Sequence, residues 1–210
     1  MDASTFASKS WVGRICHHTA TMPSPIGHAL AGLAVAWGSD LLPPRAGGRP
    51  EGVHHDHLCV MLAVLPDADL LLPIAHRTVT HSFAAVAAVA LLMIVAGSVT
   101  GKVTARFAVA CVAAYASHLL LDWLQADPTP PLGIQALWPA SSRWFISGWD
   151  ILRPTERRHM FEPATMQRNV LAVVQEIVVL GPVAAAAWLV RVKALAGLPA
   201  EMAGRDHPPE

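Results

Sequence analysis

Apolar residues gather into five stretches along the chain, separated by connections rich in proline, glycine and charge. Segment A, residues 26–42, follows Pro23, Ser24 and Pro25, a sequence suited to opening a helix. Segment B, residues 58–75, is broken by Pro66, Asp67, Asp69 and Pro73. Segment C, residues 82–99, runs eighteen residues without a charge and has the length of a membrane span. Segment D, residues 107–124, carries His118 and Asp122 near its end. Segment E, residues 170–190, holds Gln175 and Glu176 near its start and Pro182 at mid-length. A and B are short or broken for a span of roughly 20 residues, which suits re-entrant segments or helices buried among the others. The pattern predicts an all-α fold: a polytopic transmembrane bundle of about four to five hydrophobic helices.

Composition supports the bilayer. The 210 residues are 53% hydrophobic and 14% charged, against about 25% charged for an ordinary soluble domain. Fifteen basic residues balance fifteen acidic ones, so no polybasic field exists to hold a nucleic acid. Three cysteines, Cys16, Cys59 and Cys111, are scattered without Cys-x-x-Cys spacing, which indicates neither a disulfide framework nor a thiolate zinc site. Residues 1–21 read as a disordered extension, with Met22 an alternative start, and residues 194–210 as a disordered tail; the membrane-embedded domain is residues 22–193. A signal peptide is the competing reading of segment A, but four further apolar segments favour a polytopic protein. The unusual count is histidine, eleven against one tyrosine.

Four of those histidines have company. If all five segments cross, His28 at the start of A, Asp67, Asp69 and His76 late in B, His81 at the start of C, and His118 and Asp122 late in D meet at one membrane boundary. Ionisable residues against hydrocarbon are costly and mark function by default. His118 and Asp122 stand four apart on one helix face and can chelate one ion. Asp67 and Asp69 beside Pro66 can hold one ion or bridge two, and Arg77 between His76 and His81 suits an anionic substrate group. Mixed histidine and carboxylate ligands without cysteine favour a divalent metal, zinc first, with manganese or iron as alternatives. Seven candidates leave room for two ions, or for one ion with a general base.

Blander readings apply elsewhere. Glu176 reads as a satisfied bundle residue, and His54, His55, Asp56 and His57 as an exposed loop on the opposite face that binds metal adventitiously. The loop at 125–168, with Trp138, Trp144, Phe145 and Trp149, reads as a lid or interfacial platform over the site, or as an ordinary aromatic belt. Its arginines, Arg143, Arg153, Arg157, Arg158 and Arg168, tilt the site toward the cytoplasm.

The same residues carry a resemblance. Met22 to His28 (Met-Pro-Ser-Pro-Ile-Gly-His), Leu65 to Asp69 (Leu-Pro-Asp-Ala-Asp), His76 to Ser82 (His-Arg-Thr-Val-Thr-His-Ser), Ser117 to Asp122 (Ser-His-Leu-Leu-Leu-Asp) and Leu137 to Pro139 (Leu-Trp-Pro) resemble the YdjM-like family of bacterial membrane-bound metal-dependent hydrolases. The likeness runs from about Met22 to Trp149 in order, and the His76 to Ser82 string is its most specific part. A proline-rich run, Pro128, Pro130 and Pro131, is inserted before Leu137. The resemblance implies a helical protein of the bacterial inner membrane, distantly similar to zinc-dependent phospholipase C. It implies metal ligation by His28, Asp67, His81, His118 and Asp122, with Asp69 and His76 as base or orienting groups.

The expected activity is hydrolysis of an ester or phosphoester, with a lipid or amphiphile suggested by the position of the site; Asp69 or His76 accepts a proton and Arg77 holds substrate charge. The alternative is a non-catalytic metal-binding scaffold or a transport component. Transport predicts polar residues continuing to the opposite face, whereas segment C is apolar throughout and the other segments carry few buried charges.

Overall fold

A computed structural model describes residues 21–42, 53–72, 76–157 and 159–196. The expected tails, apart from Thr21 and residues 194–196, lie outside the described residues, as do Cys16, Pro73 and Arg158. Among the described residues the fold is helical: α1 (Pro25–Gly38), α2 (Val53–Val64), α3 (Phe83–Thr100), α4 (Ala105–Leu124) and α5 (Pro163–Ala196). A short 3-10 turn, Ser39–Leu41, follows α1, and a 3-10 helix, Leu65–Leu71, follows α2. A small two-stranded sheet sets β1 (Thr21–Met22) antiparallel to β2 (Thr155–Glu156).

Local chemistry sets the helix ends. Ser24, Ser82 and Thr104 each accept a backbone N–H of the first turn of α1, α3 and α4, and Pro25 opens α1 where its missing N–H costs nothing. Gly101, at φ +65°, ends α3 in the left-handed conformation open to glycine.

Helix α1 lies centrally, packed on α2, α4 and α5. Its small residues permit this: a Cβ at Gly32 would stand 2.8 Å from the Cys59 carbonyl oxygen of α2. α3 packs along α4 and buries none of its residues. α3, α4 and α5 are each long and apolar enough to cross a membrane. Leu91, Leu92, Ile94 and Val99 on α3, with Val178, Val183 and Leu189 on α5, are exposed. So continuous an apolar exterior is a surface for lipid. At 14 and 12 residues, α1 and α2 are too short to span and pack inside the bundle.

Two boundaries move. α5 begins at Pro163, seven residues before segment E, because Thr165, Gln167, Arg168 and Asn169 make its first two turns polar and hydropathy does not mark them. The connection from α4 is correspondingly shorter than 125–168. The histidine cluster is not an exposed loop but the start of α2: His55 is buried with Nε2 3.4 Å from Cys59 Sγ, and His57 faces outward. Asp56 is held by Trp37 Nε1 at 3.2 Å and Arg191 at 3.1 Å. The His54 side chain lies outside the described residues.

This end of the bundle also carries more buried charge than expected. Arg106 pairs with Asp40, and Arg191 lies 3.7 Å from Asp40. The four charges balance and tie α1, α2, α4 and α5 together. Removing one member of a buried pair strands the other. Arg106→Ala is therefore expected to cost about 3 kcal/mol, the lower end for a buried pair because Arg191 still faces Asp40, with recovery in Arg106→Met/Asp40→Leu. Thermal unfolding in detergent measures both; an unchanged Arg106→Ala midpoint would contradict the clamp.

Candidate metal centre

All eight residues singled out from the sequence meet at the other end of the bundle. α1 brings His28 in its first turn, and α4 brings His118 and Asp122 in its last two. Pro66 cannot donate to the α-helical ladder, so α2 gives way to the tighter 3-10 helix that carries Asp67 and Asp69 inward. The turn at 76–82 adds His76, Arg77 and His81. Arg77 sits at φ +63°, left-handed for a side-chain-bearing residue, and bonds on both sides hold it there: its N–H reaches Asp69 at 3.4 Å and its carbonyl accepts from Gln135 at 3.0 Å.

The ligand-bearing atoms converge. Three groups each bring one donor atom per residue within 4.8 Å: His28, Asp67 and His118; Asp67, His76 and His81; His81, His118 and Asp122. His81 Nε2 lies 3.1 Å from His118 Nε2, 3.2 Å from Asp122 Oδ2 and 3.7 Å from Asp67 Oδ1. His118 Nε2 lies 3.4 Å from Asp122 Oδ2 and 3.5 Å from Asp67 Oδ1. A tetrahedron with bonds of about 2.1 Å has edges of about 3.4 Å, so the His81, His118 and Asp122 atoms stand at the spacing of ligands around one small cation, and Asp67 Oδ1 lies close to that spacing from both imidazole nitrogens.

The hydrogen-bond inventory agrees. His28 Nδ1 and Nε2, Asp67 Oδ1, His76 Nε2 and both Asp122 oxygens are buried without a hydrogen-bond partner. Buried polar atoms are seldom left so. His28 stacks on His118 with ring centroids 3.8 Å apart, and its Nε2 is 3.7 Å from Asp122 Oδ1. Three buried carboxylates, Asp67, Asp69 and Asp122, also concentrate negative charge that a bound cation would offset.

Asp69 stands outside all three groups and faces their backs. Its carboxylate takes His76 Nδ1 at 2.6 Å and Thr80 Oγ1 at 2.6 Å, and lies 3.3 Å from His81 Nδ1. Burial alone would raise its pKa; the bonds from His76, His81 and Thr80 outweigh burial and hold it well below the ordinary carboxylate range. His81 is thereby fixed with Nε2 toward the cluster, and His76 with Nδ1 held and Nε2 buried without a partner. The Ala63 carbonyl does the same for His118, 2.8 Å from its Nδ1.

Arg77 is turned away from the cluster: Nη1 lies 2.5 Å from Asp127 Oδ2, whose carboxylate also accepts the Thr129 and Gly133 N–H groups. Arg77 thus fastens the segment after α4 to the site. That segment supplies Arg157, whose Nη2 is 2.9 Å from Asp67 Oδ2. In the sequence Arg157 is one loop arginine among five, and nothing marks it as the one that reaches the cluster. Thr80 lies inside the His76 to Ser82 string but has no metal-ligand chemistry to draw notice. Glu176 is buried as a satisfied bundle residue, accepting both the N–H and the hydroxyl of Ser24.

A family model described as YdjM inner membrane protein matches residues 22–196 of the chain. No curated protein and no solved structure matches it.

Proposed function

The chain belongs to the YdjM inner membrane protein family, and from that premise we propose that it is a multi-pass protein of the bacterial inner membrane that hydrolyses an ester or phosphoester with a divalent metal, zinc first among the candidates. The observation that carries this reading is the convergence of buried, hydrogen-bond-orphaned nitrogen and oxygen atoms at ligand spacing. His81, His118, Asp122 and Asp67 would hold one ion, with His28 beside them. Because Asp67 and His81 belong to two of the three groups, Asp67, His76 and His81 offer an alternative position for the ion, not a second one filled at the same time. A bound ion supplies Lewis acidity and a water nucleophile at neutral pH.

The chain's own residues supply the rest. With one ion, His76 accepts the proton at Nε2, the nitrogen left open by its Nδ1 bond to Asp69. Asp69 keeps that ring oriented, and four donors crowd its carboxylate too closely for it to serve as the base. Arg77 is a positioning group acting through Asp127, and the substrate charge falls to Arg157. The domain is residues 22–193, with the segment after α4 covering the site.

Transport is the weaker reading. Ala36, Cys59, Ala110 and Ala114 form a buried apolar layer between the two charged ends. Arg106 and His118 are twelve positions apart on α4, about 18 Å of helix.

The test is hydrolysis of chromogenic phosphodiesters, phosphomonoesters and carboxylic esters by detergent-purified protein, with and without zinc. Turnover should require the metal, and His76→Ala should reduce kcat by about 100-fold while keeping the metal. Metal-loaded protein inactive on the whole panel would move the assignment to a metal-binding scaffold.

A further inference from the structure

The cluster itself is sealed: His28, His81, His118 and Asp122 are each 0% exposed. Asp67 belongs both to the cluster and to the lining of a groove of about 560 Å³ outside it. The groove runs along α2 and the 3-10 helix, walled by Met61, Val64, Leu65 and Leu71, with Arg157 at its polar end. Its volume lies in the range of small-molecule sites. Its walls are apolar and open, with Met61, Leu65 and Leu71 all exposed.

We infer that this groove holds the acyl chain of a lipid whose phosphate group meets Arg157, which makes the substrate of the proposed hydrolase an anionic phospholipid. Three features point to this occupant. Arg157 keeps one N–H donor on Asp67 and exposes about a third of its side chain (34%), so other donors of its five can face a phosphate. An open apolar trough beside one arginine complements an amphiphile, whereas a water-soluble ester would leave the trough uncovered. Trp123, next to Asp122, and Trp149 lie with ring centroids 6.0 Å apart at this end of the bundle, and tryptophan favours the headgroup layer. A second apolar hollow, lined by Phe83, Leu119, Trp123 and Phe145, has no charged group and selects no headgroup. The inference rests on the hydrolase reading for its chemistry but not for its binding step.

Photo-crosslinking separates the two. Full-length protein in phosphatidylcholine nanodiscs is labelled with lipids carrying a diazirine on the acyl chain and one of three headgroups: phosphatidic acid, phosphatidylcholine or diacylglycerol. Adducts in residues 60–71 should favour phosphatidic acid over diacylglycerol by about fivefold, the worth of one partly exposed charge pair. Arg157→Gln should remove the preference, and Ala68→Trp, which fills the groove, should remove the adducts while labelling of α3 persists. Glycerol 3-phosphate should compete poorly, since it lacks the chain. Equal labelling with all headgroups, an unchanged preference in Arg157→Gln, or full competition by glycerol 3-phosphate would overturn the inference. Metal content and hydrolysis are measured on the same samples. A phosphatidic acid preference without metal or turnover overturns the hydrolase reading alone; metal and turnover with equal labelling overturn the lipid inference alone.

Discussion

Asn in place of Asp122 is expected to abolish stoichiometric zinc binding and, with it, the rise in melting temperature that zinc gives the wild-type protein. A ligand at 100 to 1,000 times its Kd stabilises a fold by about 3–4 kcal/mol, worth roughly 5–15 °C in a chain of this size. Asp122 is fully buried, its two oxygens have no hydrogen-bond donor, and Oδ2 stands 3.2 Å and 3.4 Å from His81 and His118. Asn keeps the shape and removes the charge, so packing is preserved while the ligand field weakens. If Asp122 merely stabilised a helix contact, Asn would lower the melting temperature of metal-free protein and leave the zinc-dependent rise intact. His57→Ala, at the exposed position of the other histidine cluster, should retain zinc. Metal retained by Asp122→Asn but lost by His57→Ala would move the site to the opposite end of the bundle.

Asp69→Asn carries the second large effect, through geometry instead of ligation. The carboxylate braces His76, His81 and Thr80 at once and lies in none of the ligand groups. Loss of such a partner weakens metal affinity by about 10–100-fold. Asn presents one acceptor and one donor where the aspartate has two acceptors, so one of the two imidazoles loses its brace. Competitive titration with a zinc chelator should read that loss directly. Full zinc affinity with a collapsed kcat would instead make Asp69 the base, and His76→Ala, measured alongside, would then be the milder variant.

The membrane character of this protein is legible from sequence because it depends on local quantities. Segments C and D appear as α3 and α4 within one or two residues, since a long apolar run can satisfy its backbone in lipid only as a helix. The start of α5 was not legible, because its first two turns are polar and its helical state comes from docking: Asn169 exchanges hydrogen bonds with the Glu156 backbone of β2, and Thr165 is buried. The histidines at 54–57 look like a loop when counted by hydropathy. Tertiary structure makes them a helix start, because Asp56 has Trp37 and Arg191 to meet.

The candidate site divides in the same way. Residue type and helical spacing were enough to collect His28, Asp67, Asp69, His76, Arg77, His81, His118 and Asp122, since imidazoles and carboxylates against apolar segments are costly unless they serve together. Spacing alone could not say which atoms face the centre. That depends on which nitrogen of each ring is held from behind, and the partners that hold them come from across the chain: Asp69 for His76 and His81, Ala63 for His118. Nor could it separate the two arginines, because what a guanidinium touches depends on which carboxylate the fold brings to it. Arg77 goes to Asp127, fifty positions away, and Arg157 to Asp67, ninety positions away. The sequence by itself determined a membrane bundle with a histidine and aspartate site at one end. The tertiary structure decided which atoms converge, which residues brace them and which arginine reaches them, because those are long-range contacts that no local pattern encodes.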